Sequence, residues 1–197
     1  MASYDLFIIL DTFSAEGCPI LALNLIEEFK LLNLKILLLR LNNDNNDLLE
    51  VFKEKNITLE SYNLNYKRFS RYFKILFYTY KLSRLYKPKS ILCFPLGWHS
   101  IIAIAAKFAG VKNVCSHAGN PAHNINKNIF WKFNLLIQLG RPFTNKIICC
   151  SNYIQKSIIE SFSLSNNETA TIYNSYDEDK FIFRNEYKLK VKENSSK

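Results

Sequence analysis

The sequence predicts an α/β domain: a doubly wound, mostly parallel sheet with helices on both faces. Three observations carry that expectation. Seven short apolar runs alternate with six longer segments of helical character, the order that produces strand–helix–strand crossovers. At 197 residues with 48% apolar and 22% charged side chains, the chain can close one sizeable core. The turns that follow the strand candidates are small and polar, as expected where such a sheet binds ligands beyond the carboxyl ends of its strands.

Taken in order, strands are expected at Asp5–Leu10, Leu34–Leu39, Ile57–Leu59, Ser90–Phe94, Asn113–Ser116, Lys146–Cys149 and Thr169–Tyr173. Helices are expected at Pro19–Leu32, Asp47–Lys55, Lys67–Tyr86, His99–Ala109, Lys127–Leu139 and Asn152–Ser161. Pro19 suits a helix start, Gly110 and Gly140 suit C-terminal caps, and Pro88 closes the third helix before the fourth strand. One domain is expected over residues 1–183, and the charged residues 184–197 read as a linker or tail.

No apolar run approaches the ~18 residues of a bilayer span, and the N-terminus lacks the basic n-region of a secretory signal. A cytoplasmic location is therefore expected. Five cysteines without a C-x-x-C pair read as inert thiols in apolar surroundings, and no metal is expected.

The net charge of +9 is unevenly spread. Between Ser61 and Ile159 there are fifteen Lys/Arg and no Asp or Glu, and all three histidines fall there. A catalytic carboxylate must then come from the flanks or from elsewhere, and part of the surface carries a positive field. Lys67, Arg71, Lys74 and Lys81 fall on one side of the third helix, with Phe69, Tyr72, Phe73, Leu76, Phe77 and Tyr80 around much of the rest. Two readings stand. The helix lies on an anionic membrane at the inner face of the bilayer, or, more plainly, it turns its aromatic face to the core and its basic face to water. Nucleic acid is not expected, because no binding motif accompanies the charge.

Candidate ligand-binding residues come from the strand-end turns: Gly17, His99, His117, Gly119, Asn120, Ser151 and Asn174. Each has a plainer role to set beside that one. Gly17 can simply permit a tight turn, Ser151 can cap the helix that follows, Asn174 can serve a turn, and His99 can pack or cap at a helix start. His117 at a strand end before Ala-Gly-Asn is the hardest to explain by packing. The chain has no G-x-G-x-x-G after the first strand, no P-loop lysine, no H-E-x-x-H and no G-x-S-x-G. The D-x-D letters at Asp177–Asp179 read as a surface turn.

The turn Glu16-Gly17-Cys18-Pro19 leading into Ile20–Leu25 resembles the Gly-rich first turn and helix of retaining GT-B glycosyltransferases of family 4. Leu82–Pro88 before an apolar strand and Ala105–Val111 are similar to that family's approach to its fourth strand and to its A-x-x-A-G-V helix end. The segments Ile147–Ile154 and Ile172–Asp177, with Phe181, resemble its V-S-x-x and I-x-N-G-h-D-x-x-x-F segments, with Ser175 in place of the glycine. The matches run from about residue 4 to 183 in the family's order.

This resemblance implies a Rossmann-like N-terminal, acceptor-side half of a GT-B fold. It implies transfer of a sugar from a nucleotide-sugar, bound as substrate with no cofactor, to a glycan or lipid-linked acceptor with retention at the anomeric carbon. His117 matches the family's histidine that touches the transferred sugar and is the expected catalytic contributor; the Gly17 N–H is placed for donor phosphate or sugar. The family's donor-binding domain, with its Glu-x7-Glu motif, has no counterpart here, so a separate C-terminal donor-binding domain is an expected partner. The alternative is a non-catalytic module of the same fold that binds an acceptor, a partner or an anionic membrane.

Overall fold

The computed structural model describes residues 3–64 and 70–174. Seven strands, β1 (Leu6–Leu10), β2 (Ile36–Arg40), β3 (Thr58–Ser61), β4 (Ser90–Cys93), β5 (Asn113–Ala118), β6 (Lys146–Cys149) and β7 (Thr169–Thr171), form one sheet in the order β3-β2-β1-β4-β5-β6-β7. All six pairings are parallel, with Leu6 opposite both Ile36 and Ser90 in the central register. The helices are α1 (Gly17–Leu31), α2 (Leu49–Glu54), α3 (Ser70–Tyr86), α4 (His99–Phe108), α5 (Lys127–Gly140) and α6 (Asn152–Phe162). The doubly wound α/β expectation holds.

Burial explains why apolar runs, rather than alternation, mark the central strands. Every residue of β2 is buried, and so are four of the five in β1. Successive side chains point to opposite faces, and both faces are covered. Phe7, Ile9, Leu37 and Leu39 enter one core with Ile75 and Leu82 of α3 and Ile101, Ile102 and Ala106 of α4. Ile8, Leu10, Ile36 and Leu38 enter the other with Ala22, Leu23 and Ile26 of α1 and Phe52 of α2. A third cluster joins β5 and β6 to α5 and α6 through Ile137, Ile154, Ile158 and Phe162.

Helix ends follow the caps that the sequence offers. Asn33, Asn56 and Gly110, just past α1, α2 and α4, take left-handed φ values of 58°, 50° and 94°. Asn and Gly tolerate that conformation best. Gly140 is a correction. It is the last residue of α5 with φ −79°, not a left-handed cap. Its role is close approach: a Cβ there would stand 2.6 Å from the Cα of Ser100 on α4. His117, placed past the strand by sequence, is the penultimate residue of β5, because pairing with β6 extends to Ala118 opposite Cys149.

The plainer reading of α3 is also corrected. Its inner stripe is Ile75, Thr79, Leu82 and Ser83, which face the sheet and α4. Phe73 is 73% exposed, Phe77 60%, and Leu76 and Tyr80 also face outward. The small Thr79 and Ser83 permit a close approach to α4 that aromatic rings would prevent, so packing geometry overrides side-chain hydrophobicity. Lys81 is exposed, whereas Arg71 and Lys74 are half-buried. Lys67, the Asp177–Asp179 segment, Phe181 and the 184–197 tail lie outside the described residues.

Candidate functional site

The winding sets the place of the site. From β1 the chain builds outward through β2 to β3, and α3 then carries it back to β4 on the other side of β1. Connections diverge at the β1/β4 boundary, which leaves a crevice beyond the carboxyl ends of those strands. A cleft of about 200 Å³ lies there, lined by Leu10, Asp11, Thr12, Glu16, Cys18, Pro19, Phe94 and Pro95.

One wall is the start of α1. Glu16 precedes the helix in extended backbone and makes no side-chain cap, and Pro19 has no N–H to offer. The first-turn amides of Gly17 and Cys18 have no intrahelical acceptor, and a helix start of this kind can donate to an anion. Gly17 is exposed, and a Cβ there would meet nothing within 4 Å. Packing does not demand glycine at this position, and its absent side chain leaves the amide open.

His117 stands behind the opposite wall. It is 6% exposed, and its ring lies 5.1 Å from that of Phe94, which lines the cleft. Among the described residues, neither ring nitrogen has a hydrogen-bond partner. Burial holds the imidazole below the usual histidine range; the neighbouring Asn174 side chain opposes this without reaching bonding geometry to either nitrogen. The ring is thus neutral at pH 7 with one donor and one acceptor unused. Just past β5, a Cβ on Gly119 would stand 3.2 Å from His117 Cε1, so this glycine keeps the imidazole uncrowded. The Cys150 thiol donates to the Gly119 carbonyl at 3.7 Å. Cys18 on α1 is close enough to Cys150 for that neighbour to add to the upward push on its thiol, which comes mainly from burial.

Gly17, His117, Gly119 and Asn174 are therefore brought to one edge of the sheet. Asn120 is exposed on the loop after Gly119. Ser151 is at the same edge, but its Oγ accepts from the Ile154 N–H at 3.3 Å and caps α6. His99 turns inward instead. It is 2% exposed, its Nδ1 bonds the Leu96 carbonyl at 2.9 Å, and it lines a small void with Ile137, Arg141, Thr144 and Glu168. Burial pushes its imidazole down to about 4.

Sequence reasoning did not single out Asp11. It directly follows β1, and its carboxyl is pushed up from the usual range, chiefly by desolvation, with Arg71 opposing and Asp44 and Glu16 adding. Arg71 itself lies over the Trp98 ring at 6.0 Å. The available signal was position alone: the first residue after the first strand, before a Gly-containing turn. Among the described residues, no group of three or more His, Cys, Asp or Glu could hold a metal ion.

No sequence family and no curated protein matches the chain. Solved structures do. The fold is similar to Anabaena HepE, solved with UDP and glucose, with a TM-score of 0.67 at 13% identity over 88% of this chain and 45% of that one. It is similar to a glycosyltransferase from Rickettsia africae, with a TM-score of 0.66 at 12% identity over 95% and 50%. It is also similar to the UDP-N-acetylglucosamine 2-epimerase of Rickettsia bellii, with a TM-score of 0.62 at 15% identity over 87% and 45%. The chain spans about half the length of these proteins. Fold and topology define the class: a Rossmann-like α/β domain of the kind found in GT-B glycosyltransferases and UDP-N-acetylglucosamine 2-epimerases.

Proposed function

We propose that this chain is the N-terminal, acceptor-side domain of a retaining glycosyltransferase that uses a nucleotide-sugar as substrate, without a metal or other cofactor. The observation that carries the reading is His117: a buried, neutral imidazole whose nitrogens both lack a partner among the described residues, beside a cleft at the winding switch. A buried polar group without a partner costs about 1–3 kcal/mol, which a bound ligand hydroxyl would recover. In transfer, the acceptor hydroxyl oxygen bonds to the sugar's anomeric carbon as that carbon's bond to the nucleoside diphosphate breaks. The diphosphate leaves with the electron pair, and the hydroxyl proton passes to it. His117 would hold a sugar hydroxyl and steady the charge developing on the ring, while the Gly17 and Cys18 amides meet phosphate or sugar oxygens. The acceptor is a glycan or a lipid-linked glycan, and a C-terminal domain grips the nucleotide.

The test is a titration of the 197-residue chain with UDP-sugars, followed by the imidazole resonances of His117 and the amide resonances of Gly17 and Gly119. Saturable shifts at all three are expected, those of the Gly17 and Gly119 amides being lost in His117→Ala. Resonances that stay fixed in a folded chain, with a donor-binding domain added as well as without one, would refute the site. In the presence of a donor-binding domain, UDP release that requires an acceptor is expected. Conversion of UDP-N-acetylglucosamine with no acceptor present would move the assignment to the epimerases that share the fold.

A further inference from the structure

We propose that the outer face of α3, continued by that of α5, docks on an anionic lipid bilayer. The face is apolar where a solvated surface would not be. Phe73 and Phe77 are 73% and 60% exposed, with Leu76 and Tyr80 beside them along α3. On α5, Trp131 is 60% exposed, with Leu135 and Leu139 following at intervals of four residues on the same side of the helix. Both helices pack against α4, so their outward stripes belong to one layer on one side of the sheet. Exposed apolar stripes of this extent mark interaction surfaces, and Phe, Trp and Leu are the side chains that enter the headgroup boundary.

Charge selects the occupant. Lys81 and Arg84 flank the α3 stripe, and Lys127 and Lys132 flank that of α5; all four are exposed. None of the ion pairs among the described residues involves any of them. The Lys132 ammonium lies 5.3 Å over the Trp131 ring, so cation and apolar anchor form one unit. The chain from Ser61 to Ile159, which contains both helices, supplies no carboxylate to neutralise them. A protein partner would need apolar and acidic groups in matching stripes, whereas an anionic bilayer presents both everywhere. Docking this way also sets the site close to the surface: the first turn of α3 carries Arg71, whose charge acts on Asp11 at the cleft, so the docked helix runs up to the cleft.

The experiment is sedimentation of the full chain with phosphatidylcholine vesicles, with and without phosphatidylglycerol, in the absence of any sugar nucleotide. Binding to the phosphatidylglycerol-containing vesicles is expected, falling as salt is raised. Each basic residue near the surface is worth about five-fold in partitioning, so Lys81→Gln with Arg84→Gln should weaken binding roughly 25-fold. Phe73→Ser with Phe77→Ser should weaken it by at least about ten-fold. All four positions are exposed, and unchanged thermal unfolding verifies that the variants fold. Equal binding to neutral vesicles, parental binding by either double variant, or self-association of the chain that the Phe variants abolish would each overturn the proposal. Because no donor is present, failure here is separate from failure of the sugar-binding reading.

Discussion

Replacing Gly140 by alanine places a methyl group where there is no room for it. The new Cβ would lie 2.6 Å from the Cα of Ser100, about 0.8 Å short of ordinary van der Waals contact. A flexible side chain could swing away, but a backbone atom cannot, so α5 must shift against α4. Overpacking of this kind costs about 1–3 kcal/mol. The shift also strains the bond that Ser100 Oγ donates to the Leu136 carbonyl, worth about 0.5–1.5 kcal/mol. Alanine's advantage over glycine in a helix offsets roughly 1 kcal/mol. The net loss is about 1–3 kcal/mol, or a Tm roughly 3–10 °C lower for a chain of this size. The matched control is Gly17→Ala, where nothing lies within 4 Å and φ is not left-handed. That variant should hold or gain about 0.4–1 kcal/mol by stiffening the unfolded chain. Thermal unfolding of the two variants side by side is the assay. Adding Ser100→Gly to Gly140→Ala should recover only part of the loss, because the Cα stays in the way. If Gly140→Ala unfolds no earlier than Gly17→Ala, the account of the α4–α5 contact is wrong.

Two further outcomes follow from the buried polar groups. His99 has its imidazole lowered to about 4 in the fold, against an ordinary value near 6.5 when unfolded. Only the unfolded chain therefore takes up this proton in that window, and stability falls as pH drops from about 6.5 towards 4, by up to about 1.4 kcal/mol per pH unit. The stability of His99→Gln relative to the parent should improve between pH 7 and pH 5, as measured by denaturant unfolding at both. Ser151→Ala removes the cap of α6 and should cost about 1 kcal/mol in the same measurement. A variant that keeps full stability would free Ser151 for a ligand role.

The sequence by itself determined the order of elements, the doubly wound parallel class and the location of the polar turns. The reason is local. A strand covered on both faces must be apolar along its whole length, as Leu6–Leu10 and Ile36–Arg40 largely are, and helix ends need residues such as Asn33, Asn56 and Gly110 that accept left-handed backbone. Ser151 was legible as a cap for the same reason. What only the tertiary structure decided depends on neighbours distant in the chain. The inner face of α3 is chosen by the closeness of α4, which admits Thr79 and Ser83 and turns Phe73 and Phe77 outward. Gly140 is selected by Ser100, forty residues away. His99 and His117 look alike as strand-end histidines, yet His99 holds the Leu96 carbonyl through Nδ1 and is sealed against α5, while neither nitrogen of His117 has a partner among the described residues behind the cleft. Propensity and periodicity act over a few residues, whereas packing density and unsatisfied polar atoms arise only once the sheet has brought those segments together.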